Sequence, residues 1–172
     1  MTFKEEQRFN APWLMILLVL VGVASVVPIW LLFYKQILKG EPQGPNAMSD
    51  LGITLLFFGV LAVYGGIVGL IYYCKLITYI DEKNIVCRFI PFHRKAHSIP
   101  WDEVESAEVI TYRPIMDYGG WGIRYGTEGK AYNTKGNKGL KINTKDGKKL
   151  LIGTQEPEQL RIFMTNINNL RR

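Results

Sequence analysis

From Phe9 to Tyr34, and again from Leu51 to Cys74, the chain carries no Asp, Glu, Lys, Arg or His. Arg8 and Lys35 close the first run, and Asp50 and Lys75 close the second. Each run meets the roughly 20 apolar residues that a helix needs to cross a hydrocarbon core about 30 Å thick. Lipid offers the backbone no hydrogen-bond partners, so helix is the structure expected of each run. Two transmembrane helices are predicted, over residues 12–38 and 50–75. Trp13, Trp30, Tyr34, Tyr72 and Tyr73 fall near their ends, where aromatic rings favour the interface. The first run is too long for the apolar core of a cleaved leader, and no clear A-x-A-like site follows it.

Residues 39–49 between the runs are dense in turn formers (Gly40, Pro42, Gly44, Pro45, Asn46), so the helices should form an antiparallel hairpin. Gly52, Gly59 and Gly66 recur at heptad spacing in the second span, and Gly65 and Gly69 form a G-x-x-x-G pair. Small residues on one face let helix backbones approach closely. The glycine face can serve packing against Gly22, Ala24 and Ser25 of the first span, or self-association of the protein; the sequence admits both.

The whole net charge of +6 lies after Cys74. Lys4 and Arg8 in the tail (residues 1–11), together with Lys75, Lys83, Arg88, Arg94 and Lys95, outnumber Lys35 and Lys39 at the loop. Basic residues collect on the cytoplasmic side, so both termini are expected in the cytoplasm, with the loop outside. The two cysteines, Cys74 and Cys87, point to neither a disulfide framework nor a metal site.

After Lys75 the periodicity changes. Leu76–Ile80 and Ile85–Ile90, joined by the turn Asp81–Asn84, predict a hairpin. Further strands are predicted over Val104–Tyr112, Gly122–Tyr125, Lys130–Tyr132, Gly139–Thr144 and Lys149–Ile152, the last two joined by Asp146-Gly147. Pro157 suits a helix start. Leu160, Phe163, Ile167 and Leu170 then mark one apolar helical face, with Arg171 and Arg172 placed for the negative end of the helix dipole. The expected fold is thus an α+β membrane protein: a two-helix transmembrane hairpin, then over residues 76–172 a β-sandwich or barrel of about seven strands with a C-terminal capping helix.

Several stretches carry a resemblance: Ile99-Pro-Trp-Asp-Glu-Val104, Asp117-Tyr-Gly-Gly-Trp-Gly-Ile-Arg124, Lys130–Gly136, Gly139–Thr154 and Pro157-Glu-Gln-Leu160. With the two spans before them, they are similar to bacterial two-span membrane proteins with a C-terminal pleckstrin-homology-like domain, a family of unknown function. The resemblance implies a fold; it implies no catalytic residues, because fold does not fix function.

Between Arg124 and Lys149 eight basic residues (Arg124, Lys130, Lys135, Lys138, Lys141, Lys145, Lys148, Lys149) face two acidic ones, Glu128 and Asp146. They suggest a basic face for anionic lipid or a partner; solvated hairpin tips that satisfy the positive-inside rule account for them equally well. Gly119, Gly120 and Gly122 around Trp121 match no phosphate-loop pattern and are read as a structural turn. His93 and His97 lack an acidic partner at usable spacing, so no metal is expected, nor any cofactor. Cys74 is read as an ordinary interfacial cysteine, with acylation the alternative. No nucleophile motif or acid/base dyad is present, Asp102 and Glu103 included. The expected function is therefore a membrane-anchored binding or scaffold module, not an enzyme, at the bacterial cytoplasmic membrane. Its expected partners are membrane lipids and a protein or a second copy of itself, with no nucleic acid or small-molecule substrate. The alternative is a structural or accessory subunit of a larger membrane complex serving transport, envelope stress or defence, its glycine face meeting a foreign helix.

Overall fold

The computed structural model describes residues 1–41, 44 and 47–170. The expected turn formers Pro42, Pro45 and Asn46, and the dipole-facing Arg171 and Arg172, lie outside the described residues. In chain order the elements are β1 (Phe3–Arg8), α1 (Pro12–Phe33), α2 (Asp50–Tyr73), β2 (Lys75–Ile80), β3 (Asn84–Ile90), β4 (His97–Pro100), β5 (Val104–Thr111), α3 (Pro114–Tyr118), β6 (Gly122–Gly126), β7 (Gly129–Asn133), β8 (Lys138–Thr144), β9 (Lys149–Gly153) and α4 (Pro157–Leu170). They fall into two compact units, Asn10–Tyr72 and the combination of Met1–Phe9 with Tyr73–Arg172.

In the helical unit, α1 continues as one turn of π-helix over Tyr34–Leu38, giving a helical run of 27 residues, Pro12–Leu38; α2 has 24. Both are long and apolar enough to cross a membrane. The wider π turn carries Gln36 toward α2, where its Nε2 donates to Met48 O at 2.6 Å and to Asp50 Oδ1 at 2.7 Å. The Phe33 and Phe57 rings stack at 4.8 Å, and the Tyr64 hydroxyl donates to Leu18 O at 2.9 Å. Ile53 and Phe57 are thus buried side chains of α2, and Phe57, Phe58 and Tyr64 meet α1.

The other unit holds two sheets and a helix. The first sheet runs β1-β2-β3-β4 and is antiparallel throughout; the second runs β5-β8-β9-β7-β6, with β7 and β9 parallel. Nine strands are described where about seven were expected. The first addition is β1. Residues 1–11 were expected to be a tail, but Phe3–Arg8 pairs with β2 from Phe3↔Ile80 to Arg8↔Lys75. The apolar alternation that reveals a half-buried strand is missing here, because the inward positions are Phe3, Glu5 and Gln7. The second addition, β4, is only four residues long and lies between Ile90 and Val104, where no strand was expected. Setting aside the hairpin β6–β7, seven strands remain: the four-stranded sheet, the antiparallel trio β5-β8-β9, and α4 after them.

The main core lies between the sheets and under α4. Leu76, Ile80, Ile85, Phe89, Leu140, Ile142 and Ile152 are its strand contributions, and Leu160, Phe163 and Ile167 its helical ones. Each fully buried aliphatic or aromatic side chain of this kind stabilises by about 1.5–3 kcal/mol. Leu170, expected on the same helical face, is instead exposed, and Met164 takes a buried place. A smaller cluster of Tyr112, Tyr118, Ala131 and Leu151 covers the opposite face of the second sheet.

Buried polar bonds seal β1 into the unit. Gln7 Nε2 donates to Gly153 O at 2.6 Å, and its Oε1 accepts from the Thr134 hydroxyl at 3.0 Å. The Glu5 carboxylate accepts from the Thr154 hydroxyl at 2.7 Å and from the Gln155 amide at 2.6 Å. Burial pushes the Glu5 carboxyl above its ordinary value of 4.5, against the lowering effect of the Gln155 and Thr154 bonds. The folded protein thus holds this proton more tightly than the unfolded chain. The stability tied to it is full below pH 4.5 and is lost as pH rises through the raised folded value. Glu5→Gln removes this dependence. In unfolding series across buffers, the stability of the native protein relative to the variant should fall as pH rises from 4.5; a pH-independent difference would contradict the buried, proton-holding carboxyl.

Candidate functional site

The eight basic residues expected to share a face do not do so. On β8 and β9, Lys141 stands opposite Leu151, and Lys149 lies two residues before Leu151, so both ammoniums are on the outer face of the second sheet. There they share Glu128, at 2.9 Å and 3.8 Å. Lys148 at the hairpin tip pairs with Asp146 at 2.6 Å, which with the Thr144 hydroxyl holds the Asp146 carboxyl down at about 2. Lys145 is exposed on the same tip, and Lys135 and Lys138 flank the β7–β8 connection. Arg124 donates from Nε to Trp121 O at 2.9 Å. Lys130 lies two residues before inward Tyr132 and pairs with Leu150, so it lies on the inner face. Alternation along each strand separates side chains that look contiguous in sequence.

The glycine turn has a direct conformational cause. Gly119 ends α3 with φ at 71°, its amide bonded to Ile115 O at 2.9 Å, and the Gly120 amide reaches Pro114 O at 2.9 Å. A side chain is disfavoured at such a helix end. Trp121 Nε1 donates to Gly136 O at 2.9 Å, and the Gly122 amide donates to Asn133 Oδ1 at 2.8 Å. These bonds tie the turn to the far side of the β6–β7 hairpin.

The helix glycines require a correction. A side chain added at Gly59, Gly65, Gly66 or Gly69 would meet nothing within 4 Å, and one at Gly52 would meet Met48 and Ser49 just before α2 begins. Close packing between the helices occurs instead at Gly22, where an added carbon would come within 2.6 Å of Tyr64 Cζ. The heptad spacing identifies a small-residue stripe; it does not say which way α2 is rotated, and the aromatic contacts of Phe57 and Tyr64 decide that.

A recess in the strand-rich unit lies along β5. This groove of about 480 Å³ is lined by Trp101, Val104, Glu105, Ser106, Glu108 and Asn168, and thus runs between β5 and α4. β5 ends the order of its sheet, so one backbone edge faces the groove side unpaired by a strand among the described residues. Two carboxylates, Glu105 and Glu108, make the groove acidic. No pattern in the sequence marks it, because it forms where a strand edge meets a helix some sixty residues later.

The thiols are poor nucleophiles or inaccessible. Burial, against the opposing charge of Lys130, pushes Cys87 up to about 12, and Cys74 is buried. Among the described residues no three His, Cys, Asp or Glu side chains group to hold a metal. Compared with known proteins, the chain matches no family model and no curated sequence.

Gly22→Val should push Tyr64 off Leu18 O and destabilise the helical hairpin by about 1–3 kcal/mol, the usual cost of overpacking. Gly66→Leu should leave the hairpin of an isolated protomer unchanged. Thermal unfolding of the full chain in detergent checks both; equal losses would contradict the orientation of α2.

Proposed function

We infer that this chain is a membrane-anchored binding module, not an enzyme. In this reading α1 and α2 span the cytoplasmic membrane of a bacterium and hold a pleckstrin-homology-like domain at its inner face, with both termini in the cytoplasm. The domain receives a protein partner by addition of a strand along β5. The open edge of β5 beside its groove is the observation that carries the reading. Strand addition supplies main-chain hydrogen bonds for affinity and a groove for side-chain selection. Glu105 and Glu108 favour a partner strand bearing basic side chains.

Several features support the anchoring. α1 and α2 leave large apolar side chains exposed along their length, among them Leu20, Leu55 and Val63, each above 60 %. Exposed apolar surface of that extent calls for an apolar surrounding. Because β1 and β2 share a sheet, the chain must leave and return on one side of any membrane it crosses, as two spans do. The residues before α1 belong to that sheet, which speaks against a discarded leader. The seven strands left without β6–β7, ordered four plus three and followed by α4, support the pleckstrin-homology-like reading.

One observation favours a second reading, a subunit of a larger membrane complex for transport, envelope stress or defence. Gly59, Gly65, Gly66 and Gly69 have open space where a foreign helix would pack.

Extraction into native lipid discs followed by native mass spectrometry tests the assignment. The expected result is a second protein, or a second copy, at fixed stoichiometry. The double substitution Glu105→Lys and Glu108→Lys should release it, while folding stability stays within about 0.5 kcal/mol, as is usual for surface changes. Loss on Gly66→Leu but not on the β5 pair would transfer the contact to the helices. Recovery of a monomer carrying only lipid would overturn the partner reading.

A further inference from the structure

One cluster of basic side chains lies apart from the β5 groove and from the carboxylates that pair with Lys141, Lys148 and Lys149. Lys130 points inward from β7 at the rim of the second sheet, beside Tyr125 of β6, its cross-strand neighbour. Its Nζ stands 5.1 Å from the centre of the Tyr125 ring and 4.9 Å from that of Tyr132. Burial works against the charge on Lys130, but its contacts with Tyr132 and Tyr125 outweigh it and raise its titration above the ordinary value. Across the rim, in the first sheet, His97 on β4 stands opposite the inward Cys87. His93, in the β3–β4 connection, meets the Tyr132 ring edge-on at 4.9 Å.

Both imidazoles are held below their ordinary value, first by burial and then by the Lys130 charge; His97 also feels Lys148, and His93 feels His97. The charged and titratable groups around them are thus Lys130, Lys148, Tyr125, Tyr132, Cys87 and Arg88, whose Nε donates to His93 O at 3.2 Å. Among the described residues no carboxylate forms an ion pair with Lys130, His93 or His97, and Asp146 is engaged by Lys148. His93 accepts the Phe89 amide at Nδ1, at 3.1 Å, so its remaining ring nitrogen is the N–H donor in the neutral form. A half-buried, charged lysine, one fixed imidazole donor and one titratable imidazole converge with nothing anionic among them.

We propose that Lys130, His93 and His97 form a binding site for a phosphate-type oxyanion. Lys130 supplies fixed charge, His93 a neutral N–H donor, and His97 a second donor whose protonation strengthens binding. An anion seated there favours the imidazolium, so it raises the His97 titration, and affinity rises as pH falls through that range. The site does not depend on the β5 assignment.

The test is histidine side-chain NMR on the full chain in phosphatidylcholine discs, titrated over pH with and without added inorganic phosphate, and again in discs containing phosphatidylglycerol. The expected result is an upward shift of the His97 titration. A shift with inorganic phosphate identifies a free oxyanion as the source, and a shift with phosphatidylglycerol alone identifies a lipid headgroup; either supports the site. Lys130→Gln and, separately, His97→Gln should abolish phosphate binding, while Lys145→Gln at the exposed hairpin tip should not. No shift with either probe overturns the proposal, as does an equal loss in the Lys145 variant, which would mean diffuse surface charge.

Discussion

The pairing of β1 with β2 is the constraint on which the rest of this molecule depends. Six residues before the first apolar helix lie in register with six after the second, from Phe3↔Ile80 to Arg8↔Lys75. The helical hairpin is therefore an insertion within a sheet, closed at its base by a ladder of backbone hydrogen bonds. Lys75 and Arg8 meet Glu6 there, both at 3.0 Å. Such exposed ion pairs add little. The backbone ladder and the buried bonds of Glu5 and Gln7 supply the specificity of the closure.

Those bonds also explain why polar side chains occupy inward positions of β1. Gln7 reaches Gly153 and Thr134, and Glu5 reaches Thr154 and Gln155, all near the β9–α4 junction. A buried polar group stabilises only if it is satisfied, and its loss leaves partners stranded. Here the partners belong to segments almost the whole chain away, so the contacts fix register where apolar packing alone would permit a slip. The second sheet is organised differently. Its inner face packs in the main core, while α3 and the β6–β7 hairpin bring Tyr118 and Ala131 to cover Leu151 on the outer face.

Much of this was legible in the sequence, for physical reasons that also mark the limits. Uninterrupted apolar runs located α1 and α2 to within a residue or two. Alternating β-branched residues located seven strands, and the spacing of Leu160, Phe163 and Ile167 located α4. What escaped was whatever depends on tertiary partners. β1 shows no apolar alternation because Glu5 and Gln7 are satisfied by residues some 150 positions away. The eight basic residues form no single face, because Lys130 and Lys141 project from opposite sides of one sheet. The approach of Lys130 to His93 and His97 requires the two sheets to be stacked, and the β5 groove requires α4 to be in place. The glycine stripe was visible, but the rotation of α2 was set by Phe57 and Tyr64.

The position of β1 ahead of both helices, with its partner strand behind them, has a bearing on biogenesis. A ribosome delivers β1 before both helices, and only after them the strand with which β1 pairs. Glu5 and Gln7 must wait longer still, until Gly153 and Thr154 have been synthesised. Local pairings such as β2 with β3 form without delay, whereas the closing ladder carries the loop-closure entropy of the entire hairpin. Until both helices have been made and the chain has returned, Phe3–Arg8 has no strand to pair with. Completion of the sheet then registers that both helices have been made and the chain has returned, so a chain with an unfinished hairpin leaves β1 without its partner strand.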